Sequence, residues 1–139
     1  MLKCFFQVLF LFFDLCDVQK NLNRDQELKD RWDALVIILS DKFSDGQALD
    51  IEGILYLVGM QELGQVHLKM KKDDNVNLIH VGICSVLEPY GYYSFDYFDD
   101  DGWPHFQLLE PLPPLKSGEQ SILIKEALVT YFLKRELIQ

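Results

Sequence analysis

The sequence lacks the short motifs that mark common enzyme classes. It contains no phosphate-binding P-loop, no G-x-S-x-G nucleophile motif, no H-E-x-x-H zinc motif and no dinucleotide-binding fingerprint. Its three cysteines, Cys4, Cys16 and Cys84, include no C-x-x-C pair, which argues against a disulfide framework or a zinc ribbon. We therefore expect reduced thiols, no bound cofactor and a cytoplasmic protein.

Basic residues are also scarce. The chain of 139 residues has 13 Lys and Arg against 22 Asp and Glu, which gives a formal net charge of -9. Because a negative field repels phosphate, we expect no nucleic-acid partner and no strong attraction to anionic lipid. The same charge suits a basic protein partner or cations.

No apolar run reaches the ~20 residues that a membrane-spanning helix needs. The most apolar stretch, residues 2–13, resembles the first half of a signal peptide, but no small-residue cleavage site follows it. Three interpretations of this N-terminal segment (1–22) stay open: an element packed on the domain, a poorly ordered extension, and an export or membrane-associating segment. We favour the first and assign residues 23–139 to a single helical domain.

The rest of the chain has the apolar periodicity of a small helical domain. About half of the residues are hydrophobic and a quarter are charged, as in ordinary globular proteins. Apolar residues at three- and four-residue spacing predict four helices. These helices cover 24–43, 50–63, 74–87 and a last segment that begins after Ser117. Their predicted N-caps are Asn23 or Asp25, then Asp50, and finally Ser117 with Gln120 completing a capping box.

Each predicted helix has an apolar face that should lie in the core. Trp32 is at the centre of the first such face, which ends at Phe43. The predicted core face of the third helix consists of Val76, Ile79, Ile83, Val86 and Leu87. On the last helix the inward residues are Ile124, Leu128, Tyr131 and Phe132.

Residues 88–110 differ from the rest of the chain, because they include eight aromatic residues, six acidic ones and no Lys or Arg. Alternating apolar residues flank the turn at 99–102 and predict a β-hairpin between the third and last helices. A two-residue turn would place Tyr97 opposite Phe106, whereas a four-residue loop would place Asp96 opposite His105. In either register one face, expected to pack on the helices, contains Tyr93, Phe95, Tyr97, Phe106 and Leu108. The predicted fold class is therefore mainly α, with about four helices and one hairpin.

Three segments together resemble a small bacterial family of conserved proteins with no assigned function. They are 58–64 (VGMQELG), 87–93 (LEPYGYY) and 101–105 (DGWPH). The resemblance covers residues 26–137 and leaves the apolar N-terminal segment outside. It implies neither an activity nor any site residues.

A few polar residues have spacings that could support chemistry. His80, Cys84 and Glu88 recur every four residues, so all three could reach one metal ion, although a packed His–Cys flank is the simpler interpretation. Glu62 returns to the apolar face of the second helix, where a carboxylate must be exposed, paired or functional. His105 could act as a general base oriented by Asp96. The alternative for that pair is an ordinary cross-strand surface contact.

Our leading functional prediction is a non-catalytic protein-interaction module. Its predicted surface lies at the hairpin turn and consists of Phe98, Asp99, Asp100, Asp101 and Trp103. Aromatic rings supply contact area there, and the acids supply a field that matches a basic partner. The alternative is a small metal-dependent or acid–base enzyme that uses Glu62, His80 and His105. Convergence of those three side chains in one pocket would favour the enzyme.

Overall fold

The computed structural model describes the backbone of residues 2–64 and 73–136, and the side chains of residues 20, 22–64 and 73–136. Over these residues the chain forms four α-helices and one antiparallel hairpin between the third and fourth helices, as predicted. The elements are α1 (Leu2–Phe43), α2 (Ile51–Leu63), α3 (Asp74–Leu87), β1 (Tyr93–Phe98), β2 (Pro104–Leu108) and α4 (Ser117–Lys134). A short 3-10 turn (Glu88–Tyr90) links α3 to the hairpin.

The first helix is longer than predicted, because it begins at Leu2 and not near residue 24. The proposed caps Asn23 and Asp25 are therefore wrong, since both residues lie inside α1. No Gly or Pro occurs between residues 2 and 45, so nothing in the backbone interrupts the helix there. No helix among the described residues is long and apolar enough to cross a membrane.

The caps of the later helices follow local sequence chemistry. Asp50 caps α2 as predicted, because its carboxylate accepts a hydrogen bond from the Gly53 N–H at 2.8 Å. Ser117 is not the N-cap of α4 but its first residue, and Lys116 takes the cap position. There the Glu119 carboxylate, and not Gln120, accepts the Lys116 N–H at 3.1 Å. The extended piece predicted at 66–70 lies outside the described residues.

The core forms where the four helices meet. Trp32 is buried as predicted, and the Lys125 ammonium lies 5.2 Å from the centre of its ring. Fully buried side chains around it come from all four helices and include Leu35, Leu39, Ile54, Val58, Leu87 and Leu128. Phe43, in contrast, is exposed at the end of α1, so its predicted place in the core is wrong.

Helices α2 and α3 pack closely, because each helix contributes a glycine to their contact. A β-carbon on Gly82 would lie 2.2 Å from the carbonyl oxygen of Leu55, so this contact requires a residue without a side chain. The face of α3 that contains Leu78 and Gly82 therefore faces α2. Val76 is 72% exposed, so its predicted core position is wrong.

The hairpin has a five-residue loop, residues 99–103, and an irregularity in β1. The far end of the hairpin nevertheless keeps the register of the predicted four-residue loop. Phe95 pairs with Phe106, as expected for that loop, but beyond this point Tyr97 pairs with His105. Asp96 is the extra residue of a β-bulge, so its predicted position opposite His105 is wrong, as is Tyr97 opposite Phe106.

The bulge changes which side chains share a face of the hairpin. The Phe95 ring lies 4.9 Å from that of Phe98 and 6.0 Å from that of Phe106, between ring centres. These three rings therefore share one face, while Tyr97 stacks on His105 and leaves it, contrary to prediction. The helices cover only part of this face, because Phe95, Phe98 and Leu108 remain exposed.

Candidate functional site

Asp99 organises the hairpin turn. Its Oδ1 accepts hydrogen bonds from the Asp101 N–H at 3.0 Å and the Trp103 N–H at 2.9 Å. Its backbone N–H donates to the Trp103 carbonyl at 2.9 Å, and its own carbonyl accepts the Gly102 N–H at the same distance. Asp99 therefore fixes the turn and is the least available of the three acids predicted to face a partner.

The second carboxylate oxygen of Asp99 holds His105. The His105 Nε2 lies 2.9 Å from Asp99 Oδ2, and a carboxylate can only accept, so this nitrogen carries the proton. The hydrogen bond from His105, followed by those from Trp103 and Asp101, lowers the pKa of Asp99 below its ordinary value. His105 therefore pairs with Asp99 and not, as predicted, with Asp96. The His105 ring is also stacked on Tyr97, with 4.7 Å between ring centres.

A surface pocket of about 290 Å³ lies between α3 and the hairpin. Its polar lining comes from Asn77 and His80 of α3 and from Asp99 and His105 of the hairpin. Trp103 lies half-buried in its wall. Two of the three residues proposed for an enzyme therefore meet in one pocket.

Glu62 does not join that pocket. Its Oε1 accepts a hydrogen bond from the Tyr131 hydroxyl at 2.6 Å and forms an ion pair with Arg135 at 2.8 Å. Burial, followed by the bond to Glu62, raises the pKa of Tyr131. Glu62 is therefore a paired carboxylate that links α2 to α4, and it lines a separate pocket with Glu88 and Lys134.

The metal candidates on α3 are dispersed. His80 Nε2 lies 3.6 Å from Cys84 Sγ, but Glu88 accepts the Phe95 N–H at 3.4 Å. Cys84 is fully buried, and burial raises the pKa of its thiol to about 11, which opposes the thiolate that a metal would need. In the part of the chain that the structure describes, no three His, Cys, Asp or Glu side chains are grouped to hold a metal ion. His80 contacts the buried Cys84 but is itself exposed, so only the cysteine of this pair is packed in the core.

The exposed surface of the hairpin is more aromatic than the sequence indicated. Phe95, Tyr97 and Phe98 are 41%, 52% and 59% exposed, beside the exposed carboxylates of Asp100 and Asp101. Phe95 and Tyr97 were expected to face the helices. The sequence indicates such exposure only through its number of aromatic residues, because eight rings exceed what one face of a short hairpin can bury.

The three segments 58–64, 87–93 and 101–105 lie at structural junctions. Residues 58–64 contain the glycine at the α2–α3 contact, 87–93 join α3 to β1, and 101–105 follow Asp99 in the hairpin turn. No protein-family model, curated protein or solved structure significantly matches this chain.

Proposed function

We propose that this protein is a non-catalytic interaction module whose hairpin binds a basic protein partner. The observation that carries the proposal is the pair of exposed rings at Phe95 and Phe98, which lie 4.9 Å apart on one face of the hairpin whose turn carries Asp100 and Asp101. Binding is favoured when a partner excludes water from exposed rings of this kind, because removing apolar surface from water lowers the free energy. Trp and Tyr, two of the three aromatic residue types, are also enriched among interface residues whose truncation weakens binding by ~2 kcal/mol or more.

The charge distribution supports a basic partner. No Lys or Arg occurs between residues 73 and 115, so the hairpin and its flanks carry only acids and neutral residues. Acids at the rim of an interface increase the association rate and make it depend on salt, because their field attracts the opposite charge. In the predicted surface, Phe98 supplies contact area, Asp100 and Asp101 attract the partner, and Asp99 and Trp103 hold the turn. We place the module in the cytoplasm, because a free thiol such as that of Cys84 is typical of a reducing compartment.

The test compares partner capture by matched variants of the full chain. Phe98→Ala removes an exposed ring of the hairpin, whereas Phe43→Ala removes a ring of similar exposure from the end of α1. We expect a partner captured by the wild type to be lost with Phe98→Ala and retained with Phe43→Ala. Charge reversal at Asp100 and Asp101 should weaken capture most at low salt. Equal capture by all variants, in mass-spectrometric quantification, would exclude the hairpin as the interface.

A small acid–base enzyme is the second candidate, because His80 and His105 line one pocket and Asp99 orients His105. In that role His105 would exchange protons through Nδ1, since Nε2 is bonded to the carboxylate. Hydrolysis of a p-nitrophenyl ester that is abolished by His105→Phe but not by Phe43→Ala would favour this candidate. Turnover independent of His105 would exclude it.

A further inference from the structure

We propose a second binding site, for a small molecule that has an apolar chain and one carboxylate group. The site is a cavity of about 590 Å³ bounded by the end of α1, by α2 and by the end of α4. This volume falls within the ~300–1,000 Å³ typical of small-molecule sites. No residue of the hairpin lines the cavity, so this site is independent of the proposed interaction surface.

The lining of the cavity is mostly apolar, although Tyr56, Gln61 and Tyr131 also contribute to it. Leu39 and Phe132 of the core line it, together with Leu57. Phe43 and Met60 also line the cavity and are exposed, although both are large apolar side chains. An apolar chain in the cavity would remove water from these two side chains without requiring the core to open. The lining therefore favours a hydrocarbon-like ligand over a sugar or a nucleotide.

The charges at the cavity favour an anionic group. Lys42 and Arg135 line it, and none of the described residues lining it is acidic. Arg135 is already held by Glu62 at 2.8 Å and lies 3.5 Å from the centre of the Tyr131 ring. Lys42 forms no ion pair within the part of the chain that the structure describes. Lys42 is thus the cation available to a ligand carboxylate at the mouth of an apolar cavity.

Octanoate and 1-octanol provide matched probes, because they share a similar apolar chain and differ in charge. Each is titrated into the ¹⁵N-labelled full chain at neutral pH, and the amide shifts of Phe43, Met60 and Phe132 are followed. We expect saturable shifts at these residues, with octanoate bound about two- to fivefold more tightly, as for one exposed ionic contact. Saturation without preference for octanoate, or shifts confined to other residues, would overturn the proposal.

Two variants and one control assign the binding to this cavity. Lys42→Gln should reduce octanoate affinity to that of octanol, whereas Lys29→Gln, an exposed lysine elsewhere on α1, should leave it unchanged. Met60→Trp should fill the cavity and weaken both probes while the melting temperature stays near that of the wild type, because Met60 is exposed. Equal effects of the two lysine variants, or unaltered binding to Met60→Trp, would contradict the site.

Discussion

Gly59 of α2 lies directly against the backbone of Leu78 in α3. A β-carbon added to Gly59 would be 2.1 Å from the Leu78 carbonyl oxygen, far inside van der Waals contact. Gly82 of α3 approaches Leu55 of α2 in the same way. The two glycines therefore set the separation of α2 and α3, and α3 in turn supports the hairpin and the pocket beside it.

We predict that Gly59→Ala and Gly82→Ala each destabilise the protein, although alanine is intrinsically the better helix former. The added methyl group would force the helices apart, and overpacking of this kind costs about 1–3 kcal/mol or more. Gly118→Ala is the matched control, because a β-carbon on Gly118 of α4 would contact nothing within 4 Å. Urea unfolding should show a lower midpoint for the first two variants and an unchanged or higher midpoint for the third.

The bounds of α2 and α3 could be predicted from the sequence, and so could most of the core face of α3, because Ile79, Ile83, Val86 and Leu87 lie in the core or pack against it. The exposure of Val76 could not be predicted. Asp50 caps its helix through a bond to Gly53, only three residues away, so the neighbouring sequence contains the whole interaction. The orientation of α3 depends on Gly82 meeting a helix that begins some thirty residues earlier. Periodicity gives Val76 a core position, but this residue of the first turn of α3 is 72% exposed.

The candidate site, like the fold, could be predicted only in part from the sequence. The turn residues and the hairpin follow from the Asp–Gly sequence, but the bulge at Asp96 has no local marker and exchanges the faces of Tyr97 and Phe98. The partner of Glu62 was equally hidden, because Arg135 is 73 residues away in the chain. Interactions between residues close in the sequence could therefore be predicted, while contacts between residues far apart in the sequence could not.

We predict that His105→Phe raises the pKa of the Asp99 carboxyl group. The hydrogen bond from His105 is the largest cause of the lowered pKa, and phenylalanine removes it while retaining a ring to stack on Tyr97. Because the folded-state pKa lies below the ordinary value, Asp99 stabilises the fold above that value and loses this contribution as the pH falls through its lowered pKa.

The measurement is a ¹³C NMR titration of the Asp99 carboxyl group in both proteins. In His105→Phe the midpoint should move up toward the ordinary value of 3.8 but stay below it, since the bonds from Trp103 and Asp101 remain. Acid unfolding should accordingly begin at a higher pH. An identical midpoint in the two proteins would show that the imidazole does not stabilise the carboxylate.

We predict that Cys84 is unreactive in the folded protein. Its side chain is fully buried and its pKa is raised to about 11, so at pH 8 only about one thiol in a thousand is ionised. The test uses Cys4→Ser/Cys16→Ser, which leaves Cys84 as the single thiol, and follows iodoacetamide labelling by mass. Labelling should be negligible without denaturant and complete in urea. Rapid labelling of the folded chain would contradict the burial of this residue.

The last prediction separates the two aromatic residues proposed for the interaction surface, Phe98 and Trp103. Phe98 is 59% exposed, so Phe98→Ala should change the free energy of unfolding by no more than about 0.5 kcal/mol. Trp103 is half-buried against the α3 pocket, so its truncation should cost about 1–2 kcal/mol of apolar burial. Urea unfolding measures both values. Trp103→Ala with wild-type stability would mean that the Trp103 ring does not close the hairpin and is available to a partner. If Trp103→Ala instead loses stability as expected, Phe98→Ala is the variant that tests binding without disturbing the fold.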